Sequence, residues 1–235
     1  MAGRVAIICA MPQEIKPLVR GWRKVRERGL TFFESERAVA VASGIGSAPA
    51  AMAAMTLVAR EQASCLVSAG LAGALRRDLH VSDVLWPRTV INAATGKRFV
   101  TQSSEAQGVL VSGRTIASEG RKRELREQFG ADAIDMESAG VASIADSCGL
   151  PFYAVKAISD EVDFPMPPMN EFVDAEGKFH TASFAMRMLL RPAWWGPTIT
   201  LARNGHAASV ELCKALEHQI EQFAKFKPGA LTPQS

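Results

Sequence analysis

The stretch from Ile134 to Asp163, I-D-M-E-S-A-G-V-A-S-I-A-D-S-C-G-L-P-F-Y-A-V-K-A-I-S-D-E-V-D, reads as a helix, a turn, a buried strand and then an acid. Glu137 opens a segment rich in Ala and Ser, whose small residues permit close helix packing. Cys148-Gly149-Leu150-Pro151 closes it, with Gly at the stop and Pro just beyond. Phe152 to Ile158 is a nearly continuous apolar run of strand length, interrupted only by Lys156. Such a run predicts a strand covered on both faces, as in a parallel α/β sheet. Ser159 and Asp160 then fall at its carboxyl end, where open α/β sheets hold their ligands. Two carboxylates, Glu137 and Asp160, flank this one unit.

The same geometry recurs along the chain. Val5 to Met11 predicts a first strand, with Pro12 placed to start a helix and Glu14 in its first turn. A glutamate there either complements the helix dipole or belongs to a site. Thr31–Glu34 and Ala38–Ala42 read as a strand pair. The second leads into Ser43-Gly44-Ile45-Gly46 and an Ala/Met-rich helix over Ala50–Ala59. Glycines between a strand and a helix let backbone N–H groups face a ligand. The spacing is G-x-G-x-x-P, however, and no acid follows at the distance a dinucleotide fingerprint needs, so no nucleotide cofactor is expected. Ser64–Ser68 predicts another buried strand, running into a second glycine-rich turn at Ala69–Gly73 that includes Gly70. Val81–Leu85 and Val109–Gly113 add strands, and Arg121–Phe129 a charged helix. Strands alternating with helices predict an α/β fold with a largely parallel sheet. Glu14, Ser43–Gly46, Ala69–Gly73 and Ser159–Asp160 then share one sheet edge, hence one site.

After Asp163 the character changes. P-M-P-P-M at 165–169 excludes regular helix or central strand. Phe172, Phe179, Phe184, Met186 and Met188 follow, forming either core or an apolar pocket wall. Pro192–Pro197 reads as a rigid aromatic loop, and Ser209–Phe226 as a terminal amphipathic helix with a frayed tail behind it. Among the histidines, His180 falls nearest the expected pocket wall.

With 235 residues, 48% of them hydrophobic, the chain suits a single domain with a substantial core. A net charge of +3 does not indicate a nucleic-acid binder. Local basic clusters at Arg20–Arg28 and Arg121–Arg126 read as solvated helix faces, the alternative being an anionic surface partner. Cys9, Cys65, Cys148 and Cys213 are widely spaced and are expected to be reduced thiols of a cytoplasmic protein. No signal peptide or spanning segment is read, no metal-ligand spacing is present, and no serine nucleophile elbow is found.

Five motifs taken together resemble the nucleoside phosphorylase/nucleosidase superfamily, above all the methylthioadenosine/S-adenosylhomocysteine nucleosidases. They are A-M-P-Q-E ending at Glu14, S-G-I-G at Ser43–Gly46, G-L-A-G at Gly70–Gly73, I-D-M-E ending at Glu137 and A-I-S-D ending at Asp160. The resemblance implies a single three-layer α/β domain with a central mixed sheet flanked by helices, assembled as a homodimer or larger homo-oligomer. It further implies that Asp160 protonates the purine N7, oriented by Ser159. Glu137 would hold the ribose hydroxyls, with Met136 against the sugar. Glu14 would position or activate water, and Ile116 and Ala117 would meet the base. Ser43, Gly46, Gly70 and Phe172 complete the expected substrate contacts. This chemistry suits the residue types: glycoside cleavage builds oxocarbenium character that carboxylates stabilise, and adenine leaves poorly unless protonated.

Two departures refine the reading. Superfamily phosphorylases bind phosphate through basic residues and a Ser in the second glycine segment, where this chain has Leu71, and no Arg follows the first strand. Glu14 there would repel phosphate and favour water. The 164–197 segment, with its P-M-P-P-M run and W-W-G-P at 194–197, resembles the hopanoid-associated branch, linked to removing adenine from adenosylhopane. A triterpenoid on the ribose 5′ side needs a wide apolar channel, and transient contact with an anionic membrane surface would fit such a substrate.

Overall fold

The structure, a computed structural model, describes residues 3–27, 29–174 and 176–225. Its strands and helices, in chain order, begin with β1 (Arg4–Cys9), a 3-10 turn at Pro12–Ile15, β2 (Arg23–Glu27), β3 (Leu30–Glu34), β4 (Ala38–Ala42) and α1 (Ser47–Arg60). Then come β5 (Ala63–Ala74), β6 (Val84–Leu85), β7 (Thr89–Asn92), β8 (Arg98–Val100), β9 (Val109–Ser112) and α2 (Glu119–Phe129). The chain continues through β10 (Ala133–Asp135), α3 (Ser138–Cys148), β11 (Phe152–Asp160), α4 (Thr181–Leu189) and α5 (Trp195–Lys225).

The strands join in one sheet ordered β2-β3-β4-β1-β5-β10-β9-β7-β8, with β11 on the other edge of β5 and β6 beyond it. Parallel pairs (β1 with β4 and β5, β5 with β11, β9 with β7 and β10) centre it. Antiparallel pairs matter equally, at β2–β3–β4, β7–β8, β5–β10 and β6–β11, so the sheet is mixed rather than largely parallel. Both faces are covered, which is why the central strands lack polar alternation. In β1, Ala6 and Ile8 pack with Ala50, Ala53, Leu57 and Ala142 of α1 and α3, while Val5, Ile7 and Cys9 pack with Ala208, Leu212 and Leu216 of α5. The expected close approach of small helix residues is found: a Cβ on Gly140 would lie 2.1 Å from the Ser47 carbonyl oxygen. Gly149 ends α3 in the left-handed region at φ 63°.

Four expectations are corrected. The basic run from Arg20 is an edge strand, β2, not a helix face; Arg28 lies outside the described residues. Charged side chains on an edge discourage pairing with another chain, and Arg23 closes onto buried Glu34. The second glycine segment is not a turn either, because β5 runs unbroken through Ala69–Ala74. The predicted strand from Val81 shortens to Val84–Leu85, since His80–Asp83 forms a turn in which the Asp83 carboxylate accepts from the His80 N–H at 2.8 Å. Finally, Pro192–Trp194 forms a single 3-10 turn and α5 begins at Trp195, so the aromatic loop is the start of a 31-residue helix. The tail expected after that helix lies outside the described residues.

Candidate active site

A cavity of about 460 Å³ opens at the carboxyl ends of β1, β5 and β11, a size suited to a small-molecule ligand. Glu14, Ile116, Ala117, Met136, Glu137, Ser159 and Asp160 all line it. These seven were separate expectations from the sequence, and the fold brings them to one place.

Glu14 reaches the cavity because the chain turns sharply after β1. Its Oε2 accepts from the Ala10 and Met11 backbone N–H groups at 2.9 and 3.0 Å. Burial raises its pKa, an effect that these hydrogen bonds and Lys156 offset only in part. Glu137 stands at the residue just before α3, with its carboxylate turned away from the helix N–H groups. Its Oε1 accepts from the Gly46 N–H at 2.8 Å and its Oε2 from the Met136 N–H at 3.3 Å. Burial first, and then the neighbouring Asp135 charge, push its pKa up to about 7.

Ser159 and Asp160 are consecutive yet both face the cavity. A bulge between Ile158 and Asp160 makes this possible, setting Asp160 opposite Gly73 of β5. Bulges re-aim side chains in this way. Ser159 Oγ donates to Asp160 Oδ1 at 2.7 Å. A Cβ on Gly73 would stand 2.8 Å from Asp160 Oδ2, so bare backbone is what admits the carboxylate.

The remaining expected residues sit behind the wall. The Ser43 hydroxyl donates to the Cys9 and Gly44 carbonyls at 3.0 and 2.8 Å, away from the cavity. Gly46 acts through its N–H on Glu137. Gly70 makes room for the acids, since a Cβ there would lie 3.4 Å from both Glu14 Oε2 and Lys156 Nζ. Phe172 is buried edge-to-face against Phe184, ring centroids 5.3 Å apart, and it is Phe184 that lines the cavity. Asn170 holds the backbone of Ile116, accepting from its N–H at 2.9 Å and donating to its carbonyl at 3.1 Å. Among the histidines His206, not His180, lines the cavity; His180 pairs with Asp174 at 3.0 Å.

Sequence reasoning missed two lysines. Lys156 is fully buried in β11, 2.9 Å from Asp135, which also accepts from the Ser112 and Ser138 hydroxyls. Burial works against both charges, but each is held ionised by the other: Asp135 is shifted down and Lys156 up. Lys122 of α2 reaches Asp160, its Nζ 2.6 Å from Oδ2, with both side chains almost wholly buried. The signal for Lys122 was its place three residues before Leu125 on the sheet-facing stripe of α2.

Opposite these charges the cavity is apolar. Met166, Met169, Phe184, Leu201 and Ala202 form a roof, and the buried Thr198 hydroxyl among them has no hydrogen-bond partner among the described residues. The Met/Phe segment therefore divides its work. Phe172 and Met188 make a small core with Phe184, while Met186, Leu189, Leu190 and Trp195 are exposed. Among the described residues no helix is long and apolar enough to cross a membrane.

A family profile described as the Phosphorylase superfamily matches residues 4–107 and 102–192. The aminodeoxyfutalosine nucleosidase of Campylobacter jejuni is 26% identical, over 79% of this chain and 97% of its own. The 5′-methylthioadenosine/S-adenosylhomocysteine nucleosidase of Bacillus pumilus is 23% identical, over 79% and 98%. Among solved structures, the Colwellia psychrerythraea nucleosidase of the latter type, in complex with adenine, superposes with a TM-score of 0.73 at 20% identity, covering 95% of this chain and 96% of that one. The mixed sheet, the cavity at its strand ends and the profile spanning most of the chain agree: this protein belongs to the phosphorylase superfamily.

Proposed function

We propose that this protein is an N-ribosyl hydrolase that releases adenine from an adenine nucleoside carrying an apolar 5′ substituent, with adenosylhopane as the candidate substrate. The observation that carries the reading is the convergence of Glu14, Glu137 and Asp160 on one cavity whose opposite wall is apolar. Its relatives are nucleosidases, which supports the reaction class.

In this reading the purine lies against Asp160, Ile116 and Ala117, and Glu137 accepts from the ribose hydroxyls. As the N9–C1′ bond breaks, its electron pair passes into the purine and Asp160 delivers a proton to N7. Water adds to C1′ and gives its proton to Glu14. Burial helps here, because a carboxylate of raised pKa is the stronger base. The negative groups around the sugar stabilise its developing positive charge. Water is favoured over phosphate, since Lys156 is already matched with Asp135 and an incoming anion would meet Glu14 and Glu137. The 5′ substituent points to the Met166–Met169–Phe184 wall. A hopane is too large to be enclosed with the nucleoside, so it would leave along the exposed apolar face of α4, where contact with a membrane surface suits delivery of a lipid.

The test is adenine release from adenosylhopane, methylthioadenosine and aminodeoxyfutalosine, each with and without phosphate. Turnover of adenosylhopane independent of phosphate is expected. Strict phosphate dependence would make the protein a phosphorylase, and preference for either small nucleoside would return the apolar segment to core or to an interface between copies.

A further inference from the structure

Asp160 is not a lone buried acid. Both its oxygens are engaged, Oδ1 by the Ser159 hydroxyl and Oδ2 by the Lys122 ammonium. The ammonium has a further acceptor in the Glu161 carbonyl at 2.6 Å. In this arrangement the cationic proton nearest the carboxylate is the one on Lys122.

Folding does not explain that lysine. The side chain is 2% exposed, on a helix stripe it shares with buried Leu125. Removing both charges of such a pair from water costs several kcal/mol per ion, and apolar replacements of buried pairs are often neutral or stabilising. The fold even leaves Gly73 bare beside the pair, where a Cβ would press on Asp160 Oδ2 and come within 3.3 Å of Lys122 Cε. Stability therefore gives little reason to keep the pair, and it adjoins the cavity.

We propose that Lys122 is the proton source for the departing base, with Asp160 as the carrier between them. The idea rests on the adenine-nucleoside reading above. As N9–C1′ breaks, a proton passes from Lys122 to the Asp160 carboxylate and from Asp160 on to N7, so the carboxylate is restored and Lys122 is left as a neutral amine. Glu14 meanwhile holds the proton taken from the attacking water. Solvent returns one proton to Lys122 and accepts the other from Glu14 after adenine leaves, which closes the cycle with no net change of charge. Lys122 acts through Asp160, from its own place on the cavity wall.

The experiment compares Lys122→Met and Lys122→Arg with the wild type on two ribosides: the adenine nucleoside that the wild type turns over best, and 4-nitrophenyl riboside, whose leaving group departs as an anion. Lys122→Met is expected to lower kcat for adenine release by about 100-fold or more, the usual scale of a lost proton donor, and to spare nitrophenol release. Lys122→Arg keeps the ion pair but cannot surrender its proton, so it is expected to stay near the Met variant. Recovery with Arg to within a few-fold of wild type would overturn the relay and leave Lys122 a holder of Asp160. Equal losses on both ribosides would overturn it as well. Because Arg retains the charge, its result stands even if the Met variant fails to fold. A wild type that releases adenine from no nucleoside would instead sink the parent reading.

Discussion

On the sheet side of the cavity, Glu14, Glu137 and Asp160 each accept at least two hydrogen bonds, whereas the opposite side offers Met166, Met169, Phe184 and Leu201, whose grip depends on shape and area. The acids are fixed by β-strand ends, a helix start and a bulge, so they face the cavity without reorganising. The roof comes from a proline-rich segment and two helices, and its methionines are flexible and fill irregular space. The first side can keep one reaction constant while the second varies in what it accepts. That division is open to direct attack.

The largest effect is expected for Asp160→Asn. Adenine release should fall by about 10²–10⁴-fold, and by the same factor whatever the 5′ substituent. A loss confined to one substrate would mean that floor and roof do not act separately. Next comes Lys156→Met, which leaves Asp135 charged, buried and without its cation. Breaking a buried pair from one side costs about 3–5 kcal/mol, read as a lower denaturant midpoint. An unchanged midpoint would show that the Ser112 and Ser138 hydroxyls alone suffice for Asp135.

The roof should respond differently. Met166→Ala and Met169→Ala are each expected to weaken kcat/KM for a bulky apolar nucleoside by about 10-fold or more, while methylthioadenosine changes little. Equal losses on both would assign these residues to folding. The last effect concerns pH. Glu137 has a folded pKa of about 7, above the ordinary value of 4.5, so the folded state binds its proton more tightly than the unfolded chain does. Its contribution therefore falls as pH rises from about 4.5 to about 7, by at most about 1.4 kcal/mol per pH unit, and levels off above that. Glu137→Gln should remove this slope and gain on the wild type towards pH 8. Urea midpoints at pH 5, 6, 7 and 8 that stay parallel for the two proteins would refute it.

Much of the floor was legible because its residues stand beside local signals: Pro12 before Glu14, Gly149 closing α3, and the apolar run that delivers Ser159–Asp160. The roof was legible only as composition, since nothing in the order of its Met and Phe residues says which face the cavity. The lysines were hidden for opposite reasons. Lys156 looked like an interruption in a strand, and Lys122 lay inside a run of solvated charges whose helical stripe has few apolar members. β5 was split because Gly70 and Gly73 look like turn residues. They are glycines so that the strand can pass beneath the acids and lysines. β2, β7, β8 and β10 are short or charged, with too little periodicity to stand out from loops.

Helix α5 runs without a break from Trp195 to Lys225. Its early turns supply Thr198, Leu201, Ala202 and His206 to the roof, and further along the Ser209 hydroxyl donates to the Glu14 carbonyl at 2.9 Å. One rod thus carries both a part of the apolar roof and a brace for the acid beneath it. Each residue inserted between Trp195 and Ser209 would turn everything before it by about 100° relative to that brace. Loop grafting and small insertions, common routes by which enzymes acquire new substrates, are therefore closed along the helical part of this wall and open only at the proline-rich segment that carries Met166 and Met169.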